Sequence, residues 1–308
     1  MIVALTGGTG GAKLVEGLAA AVDPAELTIV CNTGDDCVFH GLHISPDLDT
    51  ITYTLAGLID RSKGWGVEGD TFTAQKQLRR LGNDVWFNLG DKDLAMHITR
   101  TRLLNDGLKL SAITDLMRRT LGVKAAILPM SDDRIETCVK TSRGEMAFQE
   151  YFVKERWAPV VSAVRFAGVE KSRPAPGILE AIHGADAIII CPSNPVTSVG
   201  PILSVAGIRD ALKRTGAPVV GVSPIIGTTA LSGPAHRLMS VGGWDASALG
   251  VAQAYGDFLD LLIIAQSDSA IAGEIENLGV KTMCADIRMS SAADKKRLAS
   301  LVLAFVRK

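Results

Sequence analysis

The sequence predicts an α/β fold: a mainly parallel sheet with flanking helices, carrying a helical insertion and a β-hairpin. Three observations carry that expectation. Short aliphatic runs alternate with amphipathic ones, which is the signal of parallel strands joined by helical crossovers. Glycine-rich or polar turns follow several of the aliphatic runs, where an open α/β sheet places its ligand crevice. Finally, 47% of the 308 residues are hydrophobic and only 5% aromatic, the composition of an aliphatic globular chain rather than a disordered one.

In chain order, Ile2–Leu5 reads as a strand, Ala12–Val22 as a helix and Leu27–Asn32 as a second strand, followed by a polar turn at Gly34-Asp35-Asp36. From about Asp47 to Gly122 helical periodicity takes over. Apolar residues recur three and four apart in Thr71–Leu81, Asp93–Asn105 and Ser111–Leu121, which makes residues 58–122 a mainly helical insertion. Ala125–Leu128 is a strand, and Glu136–Val153, broken by Ser142-Arg143-Gly144, reads as a β-hairpin. The alternation then resumes: Ile178–His183 helix, Ala187–Cys191 strand, Pro201–Arg214 helix, Pro218–Val222 and Leu261–Ala265 strands, Ser269–Leu278 helix, Lys281–Cys284 strand and a closing helix from Ala292. No linker, low-complexity tract or repeat divides the chain, so residues 1–308 are expected to form a single domain with one Rossmann-like sheet.

Several classes are excluded. With 32 basic against 33 acidic residues, the chain lacks the basic excess that holds nucleic acid. Its densest apolar runs, 187–191 and 261–265, are about a quarter of the ~20 residues a bilayer span requires. Met1-Ile2-Val3-Ala4-Leu5 lacks a basic leader, and the five cysteines form no C-x-x-C pair. A reduced, cytoplasmic protein without a membrane partner is expected.

Candidate chemistry sits in the turns. Thr6-Gly7-Gly8-Thr9-Gly10-Gly11-Ala12-Lys13 lies between a strand and a helix, where backbone N–H groups can cradle a phosphate. Lys13 is followed by Leu14 rather than Ser or Thr, so this is no ordinary P-loop. The dinucleotide fingerprint also fails, because its third glycine is replaced by Lys13 and the second strand ends Cys31-Asn32-Thr33 without a ribose-binding acid. Asn32-Thr33-Gly34-Asp35-Asp36 stands at the crevice edge, although turn and capping chemistry would equally suit Asp35 and Asp36.

In Pro46-Asp47-Leu48-Asp49-Thr50, the proline suits a helix start and one acid suits its dipole. Residues two apart point ~200° from one another, leaving the second acid free for the crevice. Asp49 and Asp60 would lie ~16 Å apart on an unbroken helix and could share a metal only if it breaks, for instance at Gly57. Gly90-Asp91-Lys92-Asp93 follows Val85-Trp86-Phe87, placing a charged turn beside scarce aromatics. The loop Cys191-Pro192-Ser193-Asn194-Pro195-Val196-Thr197 offers hydroxyl and amide groups to a base, ribose or phosphate, with a rigid structural loop as the alternative. His40 and His43 lack a third ligand in register, and no nucleophile elbow is present. These residues alone describe a phosphate- or nucleotide-binding α/β enzyme assisted by carboxylates and a hard cation.

Together the motifs resemble the 2-phospho-L-lactate transferase family of deazaflavin coenzyme F-420 biosynthesis over essentially the whole chain. The carriers are Gly7-Gly8-Thr9-Gly10-Gly11, Asn32-Thr33-Gly34-Asp35-Asp36, His40-Gly41-Leu42 with Pro46-Asp47-Leu48-Asp49-Thr50, Gly64-Trp65-Gly66 with Asp70-Thr71, Gly90-Asp91-Lys92-Asp93 and Ser193-Asn194-Pro195. Lys92 stands where arginine is common, with the charge kept. The resemblance implies transfer of an organophosphate from a guanosine-diphosphate-linked donor to the ribityl hydroxyl of 7,8-didemethyl-8-hydroxy-5-deazariboflavin (Fo), releasing GMP. It implies Mg²⁺ held by Asp49 with Asp60 or Asp47, Lys92 on the deazaflavin or a phosphate, and Trp65 and Trp86 beside the acceptor. The glycine turn, Asn32, Asp35, Asp36, Asp91, Ser193, Asn194 and Thr197 would serve the bound substrates. A homodimer is expected on base rates. The alternative is a non-catalytic UDP-sugar-binding regulator of the same superfamily.

Overall fold

The computed structural model describes residues 1–230 and 235–306. Seven strands form one sheet: β1 (Ile2–Thr6), β2 (Leu27–Cys31), β3 (Ala126–Pro129), β4 (Ala187–Ile190), β5 (Val219–Val222), β6 (Leu261–Ala265) and β7 (Lys281–Ala285). Their order is β7-β6-β5-β4-β1-β2-β3, with every neighbouring pair parallel. Winding therefore reverses between β1 and β4, and the crevice of a doubly wound sheet lies at that reversal.

Side-chain alternation explains why the strands read as unbroken aliphatic runs. Val3 and Leu5 of β1 pack into the core on one face, while Ile2 and Ala4 pack into the core on the other. Both faces are thus covered, as a parallel sheet requires. Helix α1 (Gly8–Ala19) covers the second face with Leu14, Val15 and Leu18, beside Leu298, Val302 and Leu303 of the C-terminal helix Ala292–Val306.

These two helices meet at Gly17, where a methyl group would stand 2.2 Å from the Lys295 carbonyl oxygen. Gly17→Ala is therefore expected to destabilise by about 1–2 kcal/mol, overpacking exceeding the gain in helix propensity. A thermal melt at or above the parent Tm would contradict that.

Helix α2 (Pro46–Leu55) precedes the insertion, which contributes α3 (Thr73–Arg80), α4 (Asp93–Asn105) and α5 (Leu110–Thr120). Helix α2 stops early, and Gly57 takes a φ of +71° just beyond it, so the chain does break where a shared Asp49–Asp60 site would need it to. The hairpin pairs Glu136–Thr141 with Gly144–Ala147, shorter than expected. Past Ala147 the buried apolar residues are Phe148 and Tyr151, a helical rather than a strand spacing, and the chain enters a π-helical turn at Glu150–Lys154. A third antiparallel strand, Val161–Ala167, completes this small sheet. The expected Pro201–Arg214 helix is two helices, Gly200–Ser204 and Ile208–Arg214, parted before Gly207 at φ +88°. Among the described residues no helix is long and apolar enough to cross a membrane.

Candidate active site

A cleft of about 300 Å³ opens beyond the carboxyl ends of β1 and β4. Its floor is the glycine turn. Gly7 is extended and no side chain caps α1, so the first-turn amides need other partners. Gly8 N–H finds Asp47 Oδ1 at 2.8 Å, while the Thr9 and Gly10 amides meet no acceptor among the described residues. Two free N–H groups at a helix N-terminus are an anion site in waiting. The turn is also tight: a methyl at Gly10 would sit 2.6 Å from the Pro192 carbonyl oxygen, and one at Gly11 would overlap Thr6 Oγ1. Glycine here lets the loop after β4 close onto the turn. That loop is itself shaped by Asn194, whose side chain accepts from the Val196 and Thr197 amides as the chain winds into a second π-helical turn at Pro195–Val199.

The acids come from α2 and α4. Asp47 accepts from Gly8 and, at 2.9 Å, from Asn32 Nδ2, tying α2 to α1 and to the end of β2. Burial raises its pKa to about 6, with those two hydrogen bonds opposing. Asp35 is pushed well above the carboxylate range by burial and then by the charges of Asp47 and Asp36, and its Oδ1 is buried without a partner among the described residues.

Asp49 points elsewhere and is gripped by both terminal nitrogens of Arg100, itself only 3% exposed. Burial opposes the guanidinium charge, but the pairing with Asp49 prevails and raises the Arg100 pKa. His97 lies between the acids, its Nδ1 3.6 Å from Asp49 Oδ2 and its Nε2 3.2 Å from Asp93 Oδ2. The second contact is close but off the hydrogen-bonding direction, so Nε2 has no hydrogen-bond partner among the described residues, while Nδ1 lies 3.4 Å from the donating Arg100 Nη1. Burial acts to raise the Asp93 pKa, yet His97, the Tyr53 hydroxyl and the Arg100 charge hold it below the usual value. The Tyr53 phenol is driven far up by burial and by Asp49 and Asp93, so it stays protonated and donates to Asp93.

Ligand atoms of Asp49, Asp93 and His97 lie within 4.8 Å of one another. Two carboxylates and an imidazole within this distance form a donor set that suits a divalent cation. Aromatic rings also line the cleft, Trp65 and Phe87 from the insertion and Phe148 and Phe152 from the segment after the hairpin. The site therefore combines an anion-binding turn, a compact acid cluster and flat apolar surfaces.

A family model described as 2-phospho-L-lactate transferase CofD matches residues 2–300. The chain belongs to this family. It is 43% identical over 303 residues to a 2-phospho-L-lactate transferase of Methanothermobacter thermautotrophicus, covering 98% of this chain and 97% of that one. It is 42% identical over 295 residues to a phosphoenolpyruvate transferase of Streptomyces griseus, covering 94% and 93%. A crystal structure of a UPF0052-family protein from Bacillus halodurans superposes with a TM-score of 0.66 at 17% identity, covering 98% of both chains, which speaks to the fold alone. The protein is thus a transferase with an α/β fold.

Of the transferase residues expected from sequence, Gly7, Gly8, Thr9, Gly10, Asp35, Asp47, Asp49, Trp65, Ser193, Asn194 and Thr197 line the cleft. Others stand behind it. Gly11 is packed against Thr6 and Ser193, Asn32 braces Asp47, and Asp36 is occupied by His43 and Ser45. Asp91 accepts from the Thr73 and Ala74 amides and so caps α3, its pKa lowered to about 2 by Thr71 and those amides. Lys92 Nζ donates to the Glu68 carbonyl at 2.9 Å, bracing the loop that carries Trp65. Trp86 packs on Phe39 and Phe87 rather than into the cleft, and its neighbour Phe87 takes the position expected of it. Asp60 does not join Asp49: its carboxylate is held by Ser62 and Lys63.

The residues that sequence reading passed over are Tyr53, His97, Arg100, Phe148, Gln149 and Phe152, together with a cleft role for Asp93. A signal for three of them was present. Asp93, His97 and Arg100 fall at i, i+4 and i+7 of a predicted helix and so share one face.

Proposed function

We propose that the protein transfers a phosphorylated organic acid group, 2-phospholactyl, enolpyruvyl phosphate or phosphoglyceryl, from a guanosine-diphosphate-linked donor to the terminal ribityl hydroxyl of Fo, in F-420 biosynthesis in the cytoplasm and as a homodimer. The observation that carries this reading is one cleft holding both a free helix N-terminus and an acid cluster, flanked by aromatic rings. A diphosphate needs the first, a flat deazaflavin the last, and Asp49 and Asp93 line the same cleft. The family relatives named for phospholactate and for phosphoenolpyruvate differ in the group moved.

In the reaction, the acceptor hydroxyl oxygen bonds to the phosphorus bearing the organic acid, the P–O bond to GMP breaks, and the hydroxyl proton passes to water. No covalent enzyme intermediate is required, so in-line positioning and charge stabilisation do the work. The Thr9 and Gly10 amides and the Asn194–Ser198 segment would hold the diphosphate. Asp49, kept in one rotamer by Arg100, would orient the hydroxyl. A bound Mg²⁺, for which Asp49, Asp93 and His97 are the ligands at hand, would supply neutralisation of phosphoryl charge.

Incubating the protein with Fo, Mg²⁺ and each guanylylated donor, then reading product masses, is expected to show a phosphodiester of Fo together with GMP from at least one donor. Unchanged Fo with all three would refute the reading.

A further inference from the structure

Gln149 is a buried glutamine without an evident structural task. It is 8% exposed, lines the cleft, and its amide makes no hydrogen bond among the described residues. Its amide is open to the cleft, so its donor and acceptor are available to a ligand there. The other buried glutamine of this region shows the contrast: Gln75 is 7% exposed, and its Nε2 donates to the carbonyls of Val85 and, at 2.9 Å, of Phe87.

The local backbone holds Gln149 in place. Buried Phe148 and Tyr151 anchor the segment in the core, and Gln149 immediately precedes the π-helical turn Glu150–Lys154, closed by Glu155 N–H on Glu150 O at 2.9 Å. Single π-helical turns of this kind are frequent at functional sites. On either side of Gln149, Phe148 and Phe152 stack with centroids 5.5 Å apart and planes 24° from parallel, and both rings line the cleft. A primary amide on an anchored backbone beside flat apolar surface can recognise the edge of a flat heterocycle.

We infer that Gln149 is a specificity-determining residue whose amide reads a lactam edge, a C=O beside an N–H, on a planar ring bound in the cleft. One N–H donor and one carbonyl acceptor pair with such an edge in a bidentate fashion. This rests on the proposed function, whose two substrates both carry the edge: guanine in the donor and the pyrimidinedione ring in the acceptor.

Steady-state kinetics with Mg²⁺ would compare the parent protein with Gln149→Leu, using the parent substrates, an N1-methylguanosine donor and an N3-methyl deazaflavin acceptor. Gln149→Leu is expected to raise the KM of one substrate roughly tenfold and to move that of the other by less than about twofold. A rise for the donor identifies guanine, a rise for the acceptor the deazaflavin. The methylated form of that same substrate should be penalised by the parent protein and lose most of its penalty in the variant, which a purely structural role would not produce. Should Gln149→Leu fail to fold, Gln149→Glu, of the same shape but without the N–H donor, should show the same KM rise. The inference is overturned if neither KM moves, if both move alike, or if the methylated substrate keeps its full penalty. Absence of turnover by the parent protein would overturn the proposed function and this inference together.

Discussion

Asp49→Asn is expected to lower kcat for transfer by about 10³-fold, roughly 4 kcal/mol of transition-state stabilisation. Asp49 belongs, with Asp93, both to the compact cluster and to the cleft wall, whereas Asp47 stands outside the cluster and braces Gly8 and Asn32. Asparagine keeps the shape and one acceptor for Arg100 but removes the charge. The fold should persist, because unpairing the buried Arg100 costs about 3–5 kcal/mol, less than the ~5–15 kcal/mol by which a typical domain is stable. Circular dichroism and a melt would establish folding, and a product assay the loss. A folded Asp49→Asn protein with parental kcat would remove Asp49 from the reaction.

Most of the sheet was legible in the sequence because a parallel strand is buried on both faces and shows as an aliphatic run; Ala187–Ile190 and Leu261–Ala265 could hardly be anything else. The third antiparallel strand, Val161–Ala167, was not, since one face is open to solvent and Arg165 and Ser162 dilute the pattern. In the site, the glycine turn was legible because close backbone approach demands glycine.

The α4 face was hidden for a specific reason. Its buried residues are Asp93, His97, Arg100 and Leu103, while Ile98 is 54% exposed, so apolar spacing points to the wrong side of the helix. An amphipathic reading assumes that the buried stripe is apolar. Here the stripe is polar because its members satisfy one another and Asp49. Trp86 and Phe87 illustrate a smaller limit: they are adjacent, only one can face the cleft, and composition does not choose between them.

Arg100→Met is expected to destabilise the protein by about 3–5 kcal/mol, since it leaves the Asp49 carboxylate buried with no cation against it. For a chain of this size that is a Tm loss of roughly 10 °C. Activity should fall with it, because Asp49 then loses the bidentate grip that sets its rotamer. The informative comparison is the double variant Asp49→Asn with Arg100→Met. If the pair is an internally compensated unit, removing both charges should recover most of the stability that Arg100→Met alone gives up, because coupled neighbours are non-additive. Activity should not return. Additive losses in the double variant would mean that Arg100 serves Asp93 and Tyr53 at least as much as Asp49. Recovery of stability without activity would instead separate the two tasks of this ion pair: Arg100 makes a buried carboxylate tolerable, and the carboxylate is kept there for chemistry rather than for the fold.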